Sequence, residues 1–555
     1  MLMTVVIIGG IISIVTAAML FSSSSSLQNA HGRVDWNKAF YCSENAVVWA
    51  AQAILDNPPA TGSYNYYSTA AGTLPLASII APVNGDTAFK GAWVKIVQPK
   101  NALSDFFVIT ASSRVNNKVH TVQATVTAYP VSQVFDYEYF LNNWGWWWGS
   151  TISGNGSQRA NWDFDFKGGP QVNGNIYAAN YIEENGVPYN QYTQSAPFGG
   201  LAGADPLDYV HPGAPRVTMP NLLSFSNYTA VAMSDTANNG IWVGTNQVVA
   251  GALQNQTGSS DHGGNAGNST PQTGLYLVGT PSNPIIIRGT AVVPGDVVIK
   301  GTVTGKGTIY VGGNLYIANN VTYAHGPDFS SPPETMTPAQ RDAWVAQNMN
   351  NDLVAYAVRG SILTGDVTNP DWINWCYSYP GSGLASVGDE SHLGADGIAG
   401  TPDDNTPFLH PDGTMSTWYD ADGDGKINSN YNYATDINMD NNRVSYLLGY
   451  PTDNKGQPLP YNQVATDNMG TLEGIFYTDH AAAMRLEQST AIFHGVIISR
   501  NEQIIFQNNL SLNYDSRVHS RYHNNPNQFI NLGLPYGKPL QVNSFAELPP
   551  DSTNL

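Results

Sequence analysis

The first 55 residues constrain this chain more than any other stretch. Residues 1–21, MLMTVVIIGGIISIVTAAMLF, carry no charged side chain, and the first charged residue is Arg33. A helix rises about 1.5 Å per residue, so roughly 20 apolar residues span the hydrocarbon of a bilayer. The stretch is just long enough. No proline precedes Pro58, and a helical pattern resumes at Val34. Phe40, Val47, Ala51 and Ile54 follow at intervals of seven, four and three, which is one face of a helix. Asp56-Asn57-Pro58-Pro59 stops it, because proline lacks the N–H and clashes with the preceding turn. The pattern predicts one long helix within residues 1–57, apolar all round at first and amphipathic after that. If continuous, it would extend on the order of 80 Å.

Three readings compete for this stretch. A cleaved export signal would carry a basic n-region, which is missing, and gives no reason for a helical continuation. A plain membrane anchor explains the first half only. The third reading is a helix that waits in the membrane and then packs against copies of itself. Its candidate assembly residues are Met1, Leu2, Val5, Ile8, Ile12, Val15 and Phe21. Gly9-Gly10, costing about 2 kcal/mol relative to alanines, and the five serines Ser22 to Ser26 are weak points where such a helix would melt locally.

Trp36 to Ile54, WNKAFYCSENAVVWAAQAI, is similar to the A-F-Y-x-x-E-x-x-x-x-x-A helix of pilin-like proteins of type IV filament systems, with Ala39, Phe40, Tyr41, Glu44 and Ala50 at the matching positions. With the apolar segment, the likeness covers about a tenth of the chain. Three glycine- and asparagine-punctuated stretches, 173–182, 305–323 and 495–518, resemble the β-helical bodies of such proteins. The resemblance implies cleavage by a prepilin peptidase, a methylated mature N-terminus, insertion in the inner membrane before assembly, and partnership with the type IV pilus assembly machinery and with copies of itself. Numbering from the mature residue would account for the missing basic leader. Major pilins usually carry a glutamate where this chain has Val5, which leaves a bulk subunit and a tip-located minor subunit or adhesin both open.

At 555 residues the chain should hold more than one structural unit. Charged residues make up only 12%, and 54 glycines with 34 prolines imply frequent turns, a β-rich, secreted style of composition. Net charge is −19 with no basic patch, so nucleic acid is not an expected partner, whereas divalent cations are. Of the two cysteines, Cys42 lies on the predicted helix and Cys376 far along the chain.

After Pro59 the pattern turns β. In HTVQATVTAY, Val122, Ala124, Val126 and Ala128 alternate with Thr121, Gln123, Thr125 and Thr127, a half-buried strand. Phe106 to Ile109 read as a buried run beside it. Residues 135–150 bring four indoles within five positions, Trp144 and Trp146 to Trp148, suited to a packed corner, a subunit contact or a surface glycan. From 150 to 385, short strands alternate with Gly/Asn corners; Gly301, Gly305, Gly307 and Gly312-Gly313 fall too often for hairpins alone and favour a parallel β-helix over a sandwich. Thr337-Pro338 opens a helix running to about Met349. Residues 473–484 read as a strand with a helical start, 491–514 as three strands, and the chain beyond Asn524 as a loose end or cap.

The best-defined chemistry lies in 389–445. Asp420, Asp422, Asp424 and Asn428 form D-x-D-x-D-G-x-x-N, with the Lys426 carbonyl as a further ligand, and Asp436, Asn438 and Asp440 form a degenerate second copy. Alternating carboxylates around a glycine turn suit a hard cation that takes six to eight oxygens, so structural Ca2+ is the expected cofactor. Position 12 of the first loop is Tyr431, not glutamate, and flanking helices are absent, as in calcium loops of extracellular modules. Enzymatic chemistry is not expected: the polar groups Asp163/Asp165, Asp515/His519/His523 and Asp479/His480 suit surface or turn roles, with a surface polysaccharide-active enzyme on Asp163 and Asp165 as the alternative.

The expected class is therefore α+β: a long N-terminal pilin-type helix (1–57) on a small β-sheet head (58–134), then a large all-β, parallel β-helical domain (135–388), a calcium-loop insertion (389–445) and C-terminal coils with a cap (446–555). The expected function is a structural subunit of an extracellular filament on the cell surface.

Overall fold

Helix α1, Ala30–Asp56, is 27 residues long. The computed structural model describes the chain apart from residues 1–29, 61, 80–87, 101–105, 129, 131, 143–144, 191–197, 199–204, 221, 223–224, 254–274, 373–460, 480–481, 488–489, 501–502, 507–508, 525–529, 531, 537–539 and 552–555. The chain divides into two units: a head of Met1–Pro130 with Tyr536–Leu555, and a body of Val131–Pro535.

In the head, α1 lies on an antiparallel sheet built from β1 (Tyr64–Ser68), β2 (Phe89–Val97), β3 (Phe106–Val115) and β4 (Lys118–Ala128). Ala39, Phe40, Val47, Ala50 and Ile54 bury against Val94, Ile96, Ile109, Ala111, Val122 and Ala124. The β4 alternation read from sequence is the one observed for its apolar residues: Val122, Ala124 and Val126 are buried in this core. The Phe106–Ile109 run alternates instead: Phe107 and Ile109 are buried, while Phe106 and Val108 are half-buried, because only one sheet face meets the helix. The fifth strand, Leu540–Leu548, comes from the end of the chain and pairs antiparallel with β4, Leu540 opposite Ala128 and Leu548 opposite Thr121.

The body is a parallel stack. Val297–Gly301 pairs with Leu275–Gly279 on one side and Leu315–Ile317 on the other, and the row continues through Ile362–Thr364, Ala482–Arg485 and Gln503–Phe506. Residues 482–485 are thus a strand, not the helical start read from sequence. Register advances 18 residues from Val297 to Leu315, then 47 to Ile362, a step that loops out the helix Pro338–Asn348, then 120 to Ala482, a step that contains 373–460. Inward side chains such as Val297, Ile299, Leu315, Ile317, Ile362 and Met484 form one apolar core through the stack. Corner glycines sit directly on one another. A Cβ on Gly301 would lie 2.0 Å from the Gly279 carbonyl oxygen, and one on Gly495 1.8 Å from that of Gly474, so no larger residue fits either corner.

The stack does not follow chain order to its end. Ile497–Ser499 pairs in parallel with Tyr139–Leu141, and Leu510–Leu512 with Ile152–Gly154. The stack then continues outward through Gln158–Ala160, Ile176–Ala178 and Val210–His211. The first coil in sequence therefore docks on the last, at an internal join. A separate four-stranded sheet orders Gly145–Trp148, Phe164–Lys167, Ile182–Glu184 and Val187–Pro188.

The expected α+β class is corrected by these observations. Among the described residues the protein is mainly β, in sheets of five, nineteen and four strands; of the expected helix within 1–57, Ala30–Asp56 is described as helix and residues 1–29 lie outside the described residues. Fold class is set by where the core lies, and the largest core belongs entirely to stacked strands and their loops. The calcium-loop insertion expected at 389–445 lies outside the described residues.

Candidate functional site

The proposed assembly residues Met1, Leu2, Val5, Ile8, Ile12, Val15 and Phe21 lie outside the described residues, as do the proposed ligands Asp420, Asp422, Asp424, Lys426, Asn428, Asp436, Asn438 and Asp440. Among the described residues no helix is long and apolar enough to cross a membrane, and no cluster of His, Cys, Asp or Glu is arranged to hold a metal ion. Cys376 and His480 are also outside; Cys42 is a buried free thiol, pushed up to about 11 by burial.

The motif face of α1 is described in full, and it is a packing face. Ala39 and Ala50 are completely buried, letting the helix approach the sheet closely. Phe40 stacks on Trp36 at 5.6 Å and meets the His120 ring edge-on at 4.7 Å. Glu44 is only 5% exposed, and its Oε1 has no hydrogen-bond partner. Burial, then the charge of Glu547 on the C-terminal strand, pushes its carboxyl up to about 7. Ser43 Oγ lies 3.1 Å from His120 Nδ1, and His120 Nε2 lies 3.5 Å from a Glu547 carboxylate oxygen.

A second polar constellation occupies the four-stranded sheet. Asp165 on one strand is in register with Glu183 on the next and with Trp146 on the previous one. Phe164, Phe166, Trp147 and Ile182 of the same strands are buried, and so is Asp165. Asp163 accepts from the Tyr181 N–H and Asp165 from the Gly186 N–H, each at 2.9 Å. Burial and then the charges of Asp163 and Asp165 raise Glu183 to about 7. Two exposed aromatic rings flank these carboxyls, Trp148 at 49% and Tyr181 at 52% exposure, with the Lys167 ammonium 5.0 Å from the Trp148 ring. Sequence reasoning named Asp163 and Asp165 but missed Glu183. The signal for it is coil spacing: Glu183 stands 18 residues after Asp165 in register.

Among the described residues, the remaining polar groups named from sequence do not come together as one site. Asp515 is tied to the wholly buried Arg517 at 2.6 Å, and Arg517 donates to the carbonyls of Asn348, Asn351 and Asp352. His519 Nδ1 lies 3.2 Å from Asp136, but Ser520 Oγ donates to the same carboxylate at 2.7 Å rather than lying against the ring, so no nucleophile–base pair forms. Asp479 is buried against Arg500 at 3.2 Å. A network missed from sequence brings together residues on either side of 373–460. Trp372 Nε1 donates to the Thr364 carbonyl at 2.8 Å and Tyr461 Oη to that of Gly365 at 2.9 Å. Asp467 accepts from the Asp366 N–H at 2.7 Å, from Asn369 at 2.9 Å and from the buried Arg485.

No family model matches the sequence, and neither does any curated protein. Among solved structures the chain is similar to the competence-associated pilin ComZ from Thermus thermophilus, at 10% identity over 94% of this chain and 99% of that one, with a TM-score of 0.25. A superposition that loose carries no argument about fold or function.

Proposed function

We propose that this chain is the structural subunit of an extracellular, type IV pilus-like filament, polymerising through its N-terminal segment and displaying the β-rich body at the cell surface. The observation that carries the reading is α1. The helix bearing the Ala39–Phe40–Tyr41–Glu44–Ala50 pattern is laid with its apolar face on an antiparallel sheet, and the uncharged residues 1–21 precede it in the same chain. Assembly would move that segment from lipid into a bundle of identical helices. Burying on the order of 1,500 Å² is worth about 40 kcal/mol against water at about 25 cal/mol per Å². Lipid is equally apolar, so packing and chain geometry decide the net. The partners in this reading are copies of the chain, a prepilin peptidase, the assembly machinery, and the inner membrane before assembly.

Removing the residues before Gln28 should give a monomer that no longer forms filaments; continued polymerisation would contradict the proposal. Labelling of native filaments separates a bulk subunit, marked along the length, from a tip-located adhesin, marked at one end. Ca2+ at Asp420, Asp422, Asp424, the Lys426 carbonyl and Asn428, with a weaker site at Asp436, Asn438 and Asp440, would order the acidic insertion. A chelator should then lower the melting temperature and open 389–445 to protease; an unchanged digestion pattern argues against the ion.

A second reading, a glycan-active surface, is favoured by one observation. A carboxyl raised to about 7, Glu183, is influenced by two other carboxyls and flanked by two exposed aromatic rings. Such a set suits stacking on sugar rings and protonation of a glycosidic oxygen. Release of reducing ends from a surface polysaccharide, abolished in Glu183→Gln and Asp165→Asn, is the expected result. An inert parent protein would discard this reading and leave the filament proposal standing.

A further inference from the structure

The four-stranded sheet of the body has two unlike faces. Phe164 and Phe166 are buried on one of them. Asp165 and Lys167 alternate with these residues and so belong to the other. Parallel register carries that second face sideways, because residues paired across strands share a side: Asp165 with Glu183, and Lys167 with Trp148. Asp163 and Tyr181, two residues before Asp165 and Glu183, continue the same rows and are tied by the Tyr181 N–H, which donates to Asp163 Oδ1 at 2.9 Å. The face therefore carries an exposed ring at each end of a diagonal, Trp148 and Tyr181, with carboxyls between them. Strand rise and strand spacing put the Cα atoms of those two residues about 16 Å apart.

The carboxyls differ in what occupies them. Asp163 and Asp165 each use Oδ1 on a backbone N–H, from Tyr181 and Gly186. The Glu183 carboxyl makes no hydrogen bond or ion pair among the described residues. Burial and then the charges of Asp163 and Asp165 push it up to about 7, as happens to a carboxylate that lacks a cation. The Lys167 ammonium, on the same face, lies 5.0 Å from the Trp148 ring rather than against a carboxyl.

What would complement this face is a cation, and its kind is narrowed by the surroundings. No cluster among the described residues is arranged to hold a metal ion, which points to an organic charge. Two exposed rings call for flat apolar faces on the same ligand. Their separation calls for a ligand several rings long. A sugar chain with free amino groups has all three properties: C–H faces that stack on indole and phenol, ammonium groups, and an extended repeat. Another copy of this chain, at net charge −19, is a poor source of the cation.

We propose that this face binds an amino-sugar polysaccharide, with sugar rings on Trp148 and Tyr181 and an ammonium group on Glu183. This rests on the glycan reading of the same face and names the class of sugar; it requires binding and not cleavage. A sugar amine that arrives protonated meets an ionised Glu183, and an unprotonated one takes the proton of a neutral Glu183. Either route ends as ammonium against carboxylate.

Calorimetric titration of the full-length chain at pH 6.5 tests it, with a glucosamine hexamer, the fully N-acetylated hexamer and hexalysine as ligands. The glucosamine hexamer should bind about tenfold more tightly than the acetylated one, which keeps the rings and lacks the charge. Hexalysine, which keeps the charge and lacks the rings, should bind more weakly than the glucosamine hexamer. Glu183→Gln should bring the glucosamine hexamer down to the affinity of the acetylated one, and Trp148→Ala should weaken both sugars about fivefold. Should either variant fail to fold by circular dichroism, the comparison of ligands on the parent decides alone. Acetylated sugar that binds as tightly as the amine, or no binding of either sugar, overturns the proposal. Hexalysine that binds as tightly as the glucosamine hexamer assigns the face to a basic protein partner and overturns it as well. Release of reducing ends scores the glycan-active reading separately: a chain that binds the amino sugar without cutting it keeps this inference and loses that one, and a chain that cuts a neutral glycan without binding the amine does the reverse.

Discussion

The head and the body are each closed by a strand that arrives from far along the chain, and they are closed by opposite geometries. In the head the last strand runs antiparallel to β4, placing Leu540 beside Ala128. In the body the join is parallel, placing Ile497 beside Tyr139. The antiparallel head has one face on a helix, so its strands alternate apolar and polar residues, and register follows from that alternation. The body buries whole strands, such as Leu353–Val358 with every residue buried. Alternation is lost there, and register is held by coil length and by glycines stacked at the corners. Each closure also buries a carboxyl. The head has Glu44. The body has Glu138, beside Tyr139 at the join, fully buried and accepting from the Gly156 N–H at 3.1 Å and from Gln158 at 2.5 Å, with Oε1 unpartnered. Desolvation raises it to about 8, against the pull of those hydrogen bonds. Closing a fold with distant segments thus brings polar groups into places that neither segment would bury by itself.

The sharpest way to break this comparison is at a corner glycine. Gly495→Ala puts a methyl on the Gly474 carbonyl at a backbone φ of +142°, and should cost about 4 kcal/mol or more. If the two units have independent cores, calorimetry should record a lowered body transition with the head transition in place. A uniform shift of both would merge the units into one cooperative fold.

Next is the join. Glu138 has its proton in the folded body up to about pH 8, whereas an unfolded glutamate loses it near pH 4.3. The folded state binds more protons between those values, so stability falls as pH rises through the window and levels off above it. Glu138→Gln should remove most of that slope, a difference of a few kcal/mol at pH 9, read from denaturant midpoints of the body at pH 5 and 9. A parent slope that survives in the variant would remove Glu138 from the account of the join.

The smallest effect is expected at a local feature unconnected with either closure. Thr337 caps the helix Pro338–Asn348 in a full capping box with Gln340. Thr337→Ala should cost about 1 kcal/mol, shift the body midpoint slightly, and leave its pH dependence unchanged. A larger loss would mean that this helix, looped out of the stack, helps to hold the neighbouring coils.

What could be read beforehand tracks this division. The Thr337 cap was legible because its partner Gln340 is three residues away, and Val122, Ala124 and Val126 because alternation is local. The corner glycines were legible as too frequent for hairpins, though not as stacked pairs. The strand Leu540–Leu548 read as a loose end because its residues are half-buried or exposed throughout; a lone edge strand carries little apolar signal. Residues 482–485 read as helical because alanines favour helix, and burial in the stack overrode that preference. At the candidate sites Asp163, Asp165 and Glu44 could be picked out, but Glu183, Glu547 and His120 could not. What makes those residues matter is a neighbour in another coil or another strand.

By itself the sequence determined the uncharged leading segment, the face by which α1 packs, the caps, and the abundance of β corners, because each rests on residues within a turn or a coil of one another. Only the tertiary structure decided that the final strand completes the head, that the first coil docks on the last, and which carboxyls keep their protons. Those outcomes are set by contacts between segments hundreds of residues apart and by the exclusion of water where they meet, and neither leaves a periodic trace in the chain.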